Sequence, residues 1–307
     1  MIENLKYKGE IGYRLYRFIY RLYRYIKYNR FSDAKYLESH FEKMQGYKLN
    51  LDNPQTLNEK IQWLKINNRQ DFHTQLADKY EVRKYISKEF GEKYLIPLEF
   101  TTTEYKDLVP SNMPKFPFII KANHDSGNYI IVKDKSKVNW KKVQTDFRCA
   151  LSNNYYWIER EYQYFNIKPR IVVEKLLITK DGKIPFDYKL NVINGKVEFI
   201  YVSVDREGEN KRNIYSREWE PLYFTWATKN KNISNIRGSE IQRPDTLHEM
   251  IELAEKMGQL FPYVRIDFYD VDGKVYFGEI TQHHGGGFDQ IRPLEIDYKF
   301  GELLNLK

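Results

Sequence analysis

VRIDFYDVDGKVYFGEITQHHGGGF, Val264 to Phe288, is the stretch on which the reading of this chain turns. It reads as two strands joined by a tight turn and running into a glycine-rich loop. Side chains alternate between the faces of a strand, so Arg265, Asp267 and Tyr269 share one face and Val264, Ile266 and Phe268 the other. An Arg and an Asp in a half-buried strand need each other, a metal or an anionic ligand, because unpaired buried charge is costly. The turn decides whether Glu279 joins them. A two-residue Asp272-Gly273 turn pairs Asp270 with Val275 and Asp267 with Gly278, and puts Glu279 on the opposite face. A three-residue loop, Val271-Asp272-Gly273 with Gly273 left-handed, pairs Arg265 with Glu279 and sets Asp267 diagonally beside it. Both loops are common and both favour this glycine. Two carboxylates without a thiol describe a hard-cation site, most simply Mg²⁺ bridging substrate phosphates. An Arg265–Glu279 ion pair explains the same residues equally well.

The 307 residues, 41% hydrophobic and 16% aromatic, are enough for a substantial core in one large domain or two or three subdomains. A single cysteine, Cys149, excludes an internal disulfide and fits a reducing cytoplasm. No apolar run is long enough to span a bilayer, and no small-residue cleavage site follows a hydrophobic core. The formal charge of +8 is uneven: residues 1–30 carry +6 and the other 277 only +2. The basicity therefore belongs to an arm, and nucleic acid is not an expected partner, since the body offers no basic patch to extend the contact. On a helical wheel Arg14, Arg17, Arg21 and Arg24 fall together, while Ile11, Leu15, Phe18, Ile19, Leu22 and Ile26 form a separate apolar face with tyrosines between. This pattern suits an interfacial helix on an anionic membrane. The alternative is a helix docked on its own body with solvated arginines. The membrane reading is favoured, which places the protein in the cytoplasm, peripheral on the inner face of the cell membrane.

Residues 31–110 read as mainly helical. Thr56-Leu57-Asn58-Glu59 is a capping box opening one helix, and a second is expected from Asp71 to Phe90, ended by Gly91. Ile96-Pro97 starts an extended segment, and 110–117 is a linker. FPFIIKAN, the turn HDSGN and Tyr129 to Lys133 read as strand, turn and strand, and 139–165 as helical. IVVEKLLI (171–178) is a buried strand, and FDYKLNVI and KVEFIYVSV flank the hairpin signal Asn194-Gly195. Residues 205–240 read as a long polar loop of the kind that covers a site. Asp245 is expected to cap a helix patterned by Leu247, Met250, Ile251, Ala254, Met257 and Phe261.

Several residues invite chemistry, each with a plainer explanation. Lys121 ends an apolar strand before a Ser126-Gly127 turn, which suits a phosphate or an ordinary hairpin with a snorkelling lysine. Glu174 interrupts an apolar strand, to hold a flat polar base or to pair with a lysine. Asp187 and Lys189 share a face, suited to phosphate or ribose, or to an ion pair. His283 and His284 are adjacent and point apart in extended structure, and no Cys or spaced third His completes a tetrahedral zinc set. Gly285-Gly286-Gly287 permits close backbone approach to a ligand, or is a flexible link. There is no G-x-S-x-G elbow, and Cys149 has no evident activating partner, which argues against nucleophilic hydrolysis.

In order and spacing, LNEKIQWLK (57–65), ADKYEVRKY (77–85), FIIKANHDSGNYII (118–131), IKPRIVVEKLL (167–177), DYKLNVINGK (187–196) and VRIDFYDVDGKVYFGEIT (264–281) resemble the TupA-like family of ATP-grasp enzymes, named for a teichuronopeptide-biosynthesis protein. The resemblance implies an α+β ATP-grasp fold in which two subdomains hold ATP. The divisions it suggests are the arm at 1–30, a helical region at 31–110, a nucleotide-binding subdomain at 111–180 and a catalytic subdomain at 181–307. It implies that Lys121 contacts the phosphates under a turn carrying His124, Ser126 and Gly127, and that Glu174, Lys175, Leu176 and Leu177 frame adenine. Asp187 would belong to the nucleotide site, Asp267 and Glu279 would hold Mg²⁺, and Arg265 and Lys189 would steady the transferred phosphoryl group. Thr281, His283, His284, Gly286 and Gly287 would line the substrate loop. One departure stands out: Glu279-Ile280-Thr281 replaces the Glu-x-Asn of many relatives, so Thr281 offers only a weak hydroxyl ligand. The implied activity is ATP-dependent carboxylate–amine ligation in cell-surface polysaccharide biosynthesis, on a small-molecule or glycan-linked acid and an amine. The alternatives are a glycosyltransferase using a nucleotide-sugar and a non-catalytic nucleotide-binding protein. The metal reading requires the three-residue turn.

Overall fold

The computed structural model describes residues 2–28, 30–204, 211–227 and 237–306. Its helices are α1 (Gly9–Tyr28), α2 (Asp33–Gln45), α3 (Leu57–Asn67), α4 (Asp71–Ala77), α5 (Val82–Glu89), α6 (Trp140–Leu151), α7 (Tyr156–Glu159), α8 (Leu247–Gly258) and α9 (Leu294–Leu303). Its strands are β1 (Leu98–Thr102), β2 (Phe118–Ala122), β3 (Tyr129–Val132), β4 (Ile171–Lys175), β5 (Asp187–Ile193), β6 (Lys196–Val204), β7 (Lys211–Ser216), β8 (Pro221–Leu222), β9 (Thr225–Ala227), β10 (Tyr263–Val271), β11 (Lys274–Thr281) and β12 (Gln290–Arg292). The chain forms two units. The first takes residues 1–36, 78–80 and 97–176, and the second 37–77, 81–96 and 177–307. Residues 31–110 are thus shared between the two.

In the first unit β1, β4, β2 and β3 lie in that order in an antiparallel sheet. Phe118, Ile120, Ile171 and Val173 turn one face of it against Val143 and Phe147 of α6. Alternation then puts Ile119 and Lys121 on the other face. Ile119 lies directly opposite Glu174, so Lys121 and Glu174 are diagonal neighbours.

The arm is a helix, and it docks with the face expected to be solvated. Tyr13, Tyr16 and Arg17 of α1 are buried. Arg17 donates to Asn153 Oδ1 (2.8 Å) and the Ser152 carbonyl (2.9 Å), and Arg24 to the Asn154 carbonyl (2.7 Å). These oxygens lie at the C-terminal end of α6, where a helix carries partial negative charge and welcomes cations. Arg148 of α6 returns a bidentate bond to Glu10, at 2.7 and 3.0 Å. The apolar stripe is left outside: Ile11 is 84% exposed and Phe18 66%, with Leu15, Leu22 and Ile26 about half exposed (47%, 50% and 51%). Among the described residues no helix is long and apolar enough to cross a membrane.

The second unit is built on a six-stranded antiparallel sheet ordered β11-β10-β5-β6-β7-β8. One face carries Leu190, Val192, Ile200, Val264, Ile266 and Phe268 and packs on Met250, Ala254 and Met257 of α8. On the other, Phe199, Tyr201 and Tyr263 pack with Leu57 and Ile61 of α3 and Phe300 of α9, beside the charged residues described below. The capping box forms: Thr56 Oγ1 accepts from the Glu59 N–H at 3.1 Å, and the Glu59 carboxylate from Thr56 N–H at 3.0 Å. Asn194 and Gly195, both with positive φ, make the expected hairpin turn between β5 and β6.

Other expectations need correction. The helix expected over 71–90 is two, because Asp78 Oδ1 accepts its own chain's Tyr80 N–H at 2.8 Å, a local bond that competes with helix continuation. The helical reading of 139–165 holds in pieces: α6 stops at Leu151, and α7 (Tyr156–Glu159) and a 3-10 turn over Tyr162–Tyr164 follow it. Asp245 does not cap α8: the cap position is Thr246, whose hydroxyl donates to Asp270 at 2.6 Å. The loop expected at 205–240 contains β7, β8 and β9, and its 205–210 and 228–236 lie outside the described residues.

Candidate active site

The turn expectation is wrong, and the geometry it was invoked to explain is nonetheless present. Val271 pairs with Lys274 around a two-residue turn, with Asp272 (φ 53°) and Gly273 (φ 85°) left-handed. Asp270 accordingly faces Val275. Continued unbroken, that register sends Glu279 to the wrong face. Between Phe268↔Phe277 and Asp267↔Glu279 the ladder shifts by one residue, and the extra residue is Gly278. A β-bulge of this kind reverses which face the following side chains occupy. A Cβ on Gly278 would stand 3.0 Å from the Asp267 carbonyl oxygen and 3.2 Å from its Cβ, so glycine suits the position. Asp267 and Glu279 are therefore directly opposite each other.

Arg265 ties the two together. Its Nε donates to Asp267 Oδ1 (2.6 Å), and its Nη2 to Asp267 Oδ2 (2.7 Å) and Glu279 Oε1 (2.7 Å). Lys189, from the adjacent β5, donates to Asp267 Oδ2 at 2.7 Å and to Asp187 Oδ2 at 2.5 Å. Thr281 donates to Glu279 Oε1 at 2.9 Å. The Arg265–Glu279 ion pair is thus present, and Arg265, Asp267, Glu279, Asp187, Lys189 and Thr281 form one hydrogen-bonded network on one sheet face. Burial pushes the Asp267 carboxyl above its ordinary range, against the opposing pull of Arg265 and Lys189. Burial works against the charge on Arg265 too, but Asp267 and Glu279 outweigh it and hold the guanidinium charged.

The fourth Arg265 bond goes from Nη1 to His284 Nδ1, at 2.8 Å. A guanidinium has no acceptor, so Nδ1 must accept and the ring proton sits on Nε2. Burial first, then Arg265, Arg212 and Lys189, hold His284 far below its ordinary pKa, and burial with Lys65 and Arg69 does the same for His283. Both are buried neutral imidazoles. Gly285, Gly286 and Gly287 all have positive φ. The Gly286 and Gly287 carbonyls accept from Gln62 Nε2 of α3 at 2.9 and 2.8 Å, and Lys65 Nζ also bonds Gly286. A Cβ at Gly287 would meet Gln62 at 2.5 Å, so this glycine run is packed against α3 and is no slack link.

In the first unit Lys121 Nζ and Glu174 Oε2 are 2.8 Å apart, so the two residues expected at the nucleotide pair with each other. Lys175 N–H donates to the Pro97 carbonyl and Leu176 N–H to that of Pro117, while the division between units falls after Leu176. His124 turns inward: Nδ1 lies 3.1 Å from Asn123 Oδ1 and Nε2 3.1 Å from the Ala150 carbonyl, and burial lowers its pKa. Ser126 and Gly127 instead border a cavity of about 510 Å³ whose other wall includes Tyr16 and Tyr20 of α1.

The donor set fits Mg²⁺. Asp267 and Glu279 supply hard oxygens, and Asp187 Oδ1 nearby is buried without a hydrogen-bond partner among the described residues. Mg²⁺ commonly takes one or two carboxylates and completes its shell with water and phosphate; among the described residues no group of three or more His, Cys, Asp or Glu is arranged to hold an ion. Sequence reasoning missed the roles of Gln62 and Lys65, since nothing in a helical pattern separates a buried lysine from an exposed one. It also missed Arg212, Trp226 and Arg292, treated below.

The family model for TupA-like ATPgrasp proteins matches residues 59–305, and the chain belongs to that family. No curated protein matches it. Among solved structures it is similar to D-alanine–D-alanine ligase from Helicobacter pylori, at 16% identity over 81% of this chain and 69% of that one, with a TM-score of 0.45. The Bacillus anthracis D-alanine–D-alanine ligase complexed with ATP gives 14%, 68%, 54% and 0.39. The ATP-grasp ligase PsnB with minimal precursor, Mg and ADP gives 11%, 74%, 58% and 0.39. The chain thus spans little more than half the length of the latter two.

Proposed function

We propose that this protein is an ATP-dependent, ADP-forming carboxylate–amine ligase of cell-surface polysaccharide biosynthesis. The observation that carries the reading is the bulged β10–β11 hairpin, which sets Asp267 opposite Glu279 with Arg265 bridging them, in a chain of the TupA-like ATP-grasp family. A carboxylate oxygen of the acid attacks the γ-phosphorus of ATP, and the bond to the β–γ bridging oxygen breaks with ADP as leaving group. The resulting acyl phosphate is attacked at carbon by the amine. Its C–O bond breaks, phosphate departs and the nitrogen gives up its proton.

Mg²⁺ held by Asp267 and Glu279 would supply positive charge to the phosphate oxygens. Arg265 fixes both carboxylates and, among the described residues, keeps one N–H unspent beyond its four bonds. Lys189 adds a second fixed cation on the same face. Cations preplaced where charge develops lower a phosphoryl-transfer barrier without reorganising during the reaction. Lys121 contacts a phosphate while remaining paired to Glu174. The neutral His284 orients Arg265 and cannot serve as a cationic acid near pH 7. The polysaccharide setting rests on the family's name, and the apolar outer face of α1 supports a place on an anionic membrane surface.

The test is nucleotide turnover across candidate acids and amines. ADP formation that needs both a carboxylate and an amine supports the ligase. Release of UDP or GDP from a nucleotide-sugar overturns it in favour of glycosyl transfer, and ATP binding without turnover for any pair overturns it in favour of a non-catalytic role.

A further inference from the structure

The second unit contains a cavity of about 260 Å³ whose walls include Tyr201, Tyr223, Trp226 and three arginines, Arg212, Arg237 and Arg292. None of these was singled out by the sequence patterns, and the network around Asp267 does not use them directly. The volume falls just below the range usual for drug-sized ligands, so it suits a molecule of about one ring.

Three guanidiniums around one small cavity are costly unless something neutralises them. Among the described residues the structure supplies little. Arg212 Nη1 donates to the Trp226 carbonyl at 3.2 Å, and Arg292 donates to the Ile291 and Gln45 carbonyls at 3.1 and 3.2 Å; neither is hydrogen-bonded to a carboxylate among the described residues, although the Arg292 charge acts at a distance on the buried Asp297 carboxyl. Arg237 meets Glu240 at 3.4 Å, but that carboxylate is 69% exposed, and solvent screens such a pair strongly. Arg212 and Arg237 lie over the Tyr201 and Tyr223 rings, at 5.3 and 4.4 Å. Trp226 is almost fully buried, yet its indole N–H has no acceptor among the described residues. Arg212 and the Trp226 indole thus present N–H donors with no carboxylate bonded to them among the described residues, and Arg292 bonds only carbonyls, all beside aromatic surface.

The cavity adjoins the catalytic network through one residue. The Trp226 ring lies 4.0 Å, and the Tyr201 ring 5.9 Å, from the His284 ring, whose Nδ1 accepts from Arg265. The proposed reaction must bring a carboxylate up to a triphosphate, two anions that repel. Cations lining the approach offset that repulsion.

We propose that this cavity binds the acid substrate, a carboxylate carried on a single sugar or aromatic ring, with Arg212 and Arg292 taking the carboxylate and Tyr201 and Trp226 taking the ring. The assignment rests on the ligase reading above. Its test is calorimetric titration of the full chain, with and without a non-hydrolysable ATP analogue and Mg²⁺, using D-glucuronate, D-galacturonate and benzoate against their neutral counterparts D-glucose and benzyl alcohol. At least one carboxylate should bind saturably and at least tenfold tighter than its counterpart, and Arg212→Gln and Arg292→Gln should each weaken it at least tenfold. Arg237→Gln, which removes two long hydrogen bonds and the stacking on Tyr223, should fold normally and weaken binding less. Absence of saturable carboxylate binding, equal binding of the neutral counterpart, or unchanged affinity in folded Arg212→Gln overturns the assignment. The nucleotide titration separates the two readings: no ATP·Mg binding sinks the ligase, whereas intact ATP·Mg binding without acid binding removes the cavity assignment alone.

Discussion

Asp267 accepts from two cations and faces a second carboxylate, so it is the residue whose charge matters most to the site. Asp267→Asn keeps the shape, leaving Lys189 with Asp187 and Arg265 with Glu279. Turnover should fall about a hundredfold or more, beyond the usual effect of residues that merely support a metal ligand, while urea unfolding stays cooperative. Activity within a few-fold of the parent would remove the carboxylate from the mechanism. His284 carries a pH signature of its own. It is held neutral far below its ordinary pKa, so between that lowered value and about 6.5 the unfolded chain binds a proton that the folded chain refuses. Its contribution is therefore complete above pH 6.5 and is lost as pH falls. His284→Gln retains an acceptor for Arg265 without the titration. The parent should lose stability relative to this variant by up to about 1.4 kcal/mol per pH unit from pH 6.5 toward 5, and parallel curves in denaturant midpoints would show that His284 is not buried neutral. Residue types at this site were legible, because Arg, Asp and Glu in a buried hairpin have few uses. Part of their mutual bonding was legible too, since the Arg265–Glu279 and Asp187–Lys189 ion pairs are both present, but Lys121 with Glu174 and Lys189 with Asp267 join residues far apart in sequence, which alternation places on a face but does not pair.

At the scale of the element, the β10–β11 hairpin shows why the right grouping followed from the wrong turn. Period-two alternation fixes faces only while the ladder is continuous, and a single inserted residue at Gly278 changes the count. A glycine inside a strand pattern is itself the signal of a bulge or a close backbone approach, and both apply here. The prediction is that Gly278→Ala, with its Cβ forced to within 3.0 Å of the Asp267 carbonyl, costs about 1–3 kcal/mol and lowers turnover more steeply than the stability loss explains. Gly273→Ala is the control. It strains a left-handed turn by about 1 kcal/mol with open space around it, and leaves Asp267 opposite Glu279. Equal effects of the two on turnover would mean that the bulge does not position the carboxylates. Other element errors share one cause. Asp78 breaks a helix with a local side-chain bond, and β7 to β9 form within a segment whose polar composition resembles a loop.

Across the whole molecule the charge is divided between an arm at +6 and a remainder at +2, and the sequence posed a choice between a docked helix and a membrane helix. The choice was falsely exclusive, because a helix has more than one face. Arg17 and Arg24 are spent on the end of α6, whereas Arg14 and Arg21 are exposed beside Ile11, Leu15, Phe18 and Leu22. Hydrophobic patterning finds the apolar stripe but cannot tell whether the protein or a lipid covers it, since both lower its exposure to water. Docking supplies the missing constraint: it holds the helix by its polar side and leaves the stripe outward. The intact chain should therefore bind vesicles containing anionic lipid, more weakly at high salt and little if at all on neutral vesicles. Ile11→Gln, Phe18→Gln and Leu22→Gln together should reduce that binding at least tenfold without lowering the melting temperature, because these side chains touch little of the folded body. Arg14→Gln with Arg21→Gln should reduce it further and weaken its salt dependence. Arg17→Gln should do the reverse, destabilising the fold through the lost Asn153 and Ser152 bonds while sparing vesicle affinity. If the triple variant binds vesicles as the parent does, the stripe is not the membrane face; if it melts earlier while binding unchanged, the stripe belongs to a protein interface instead.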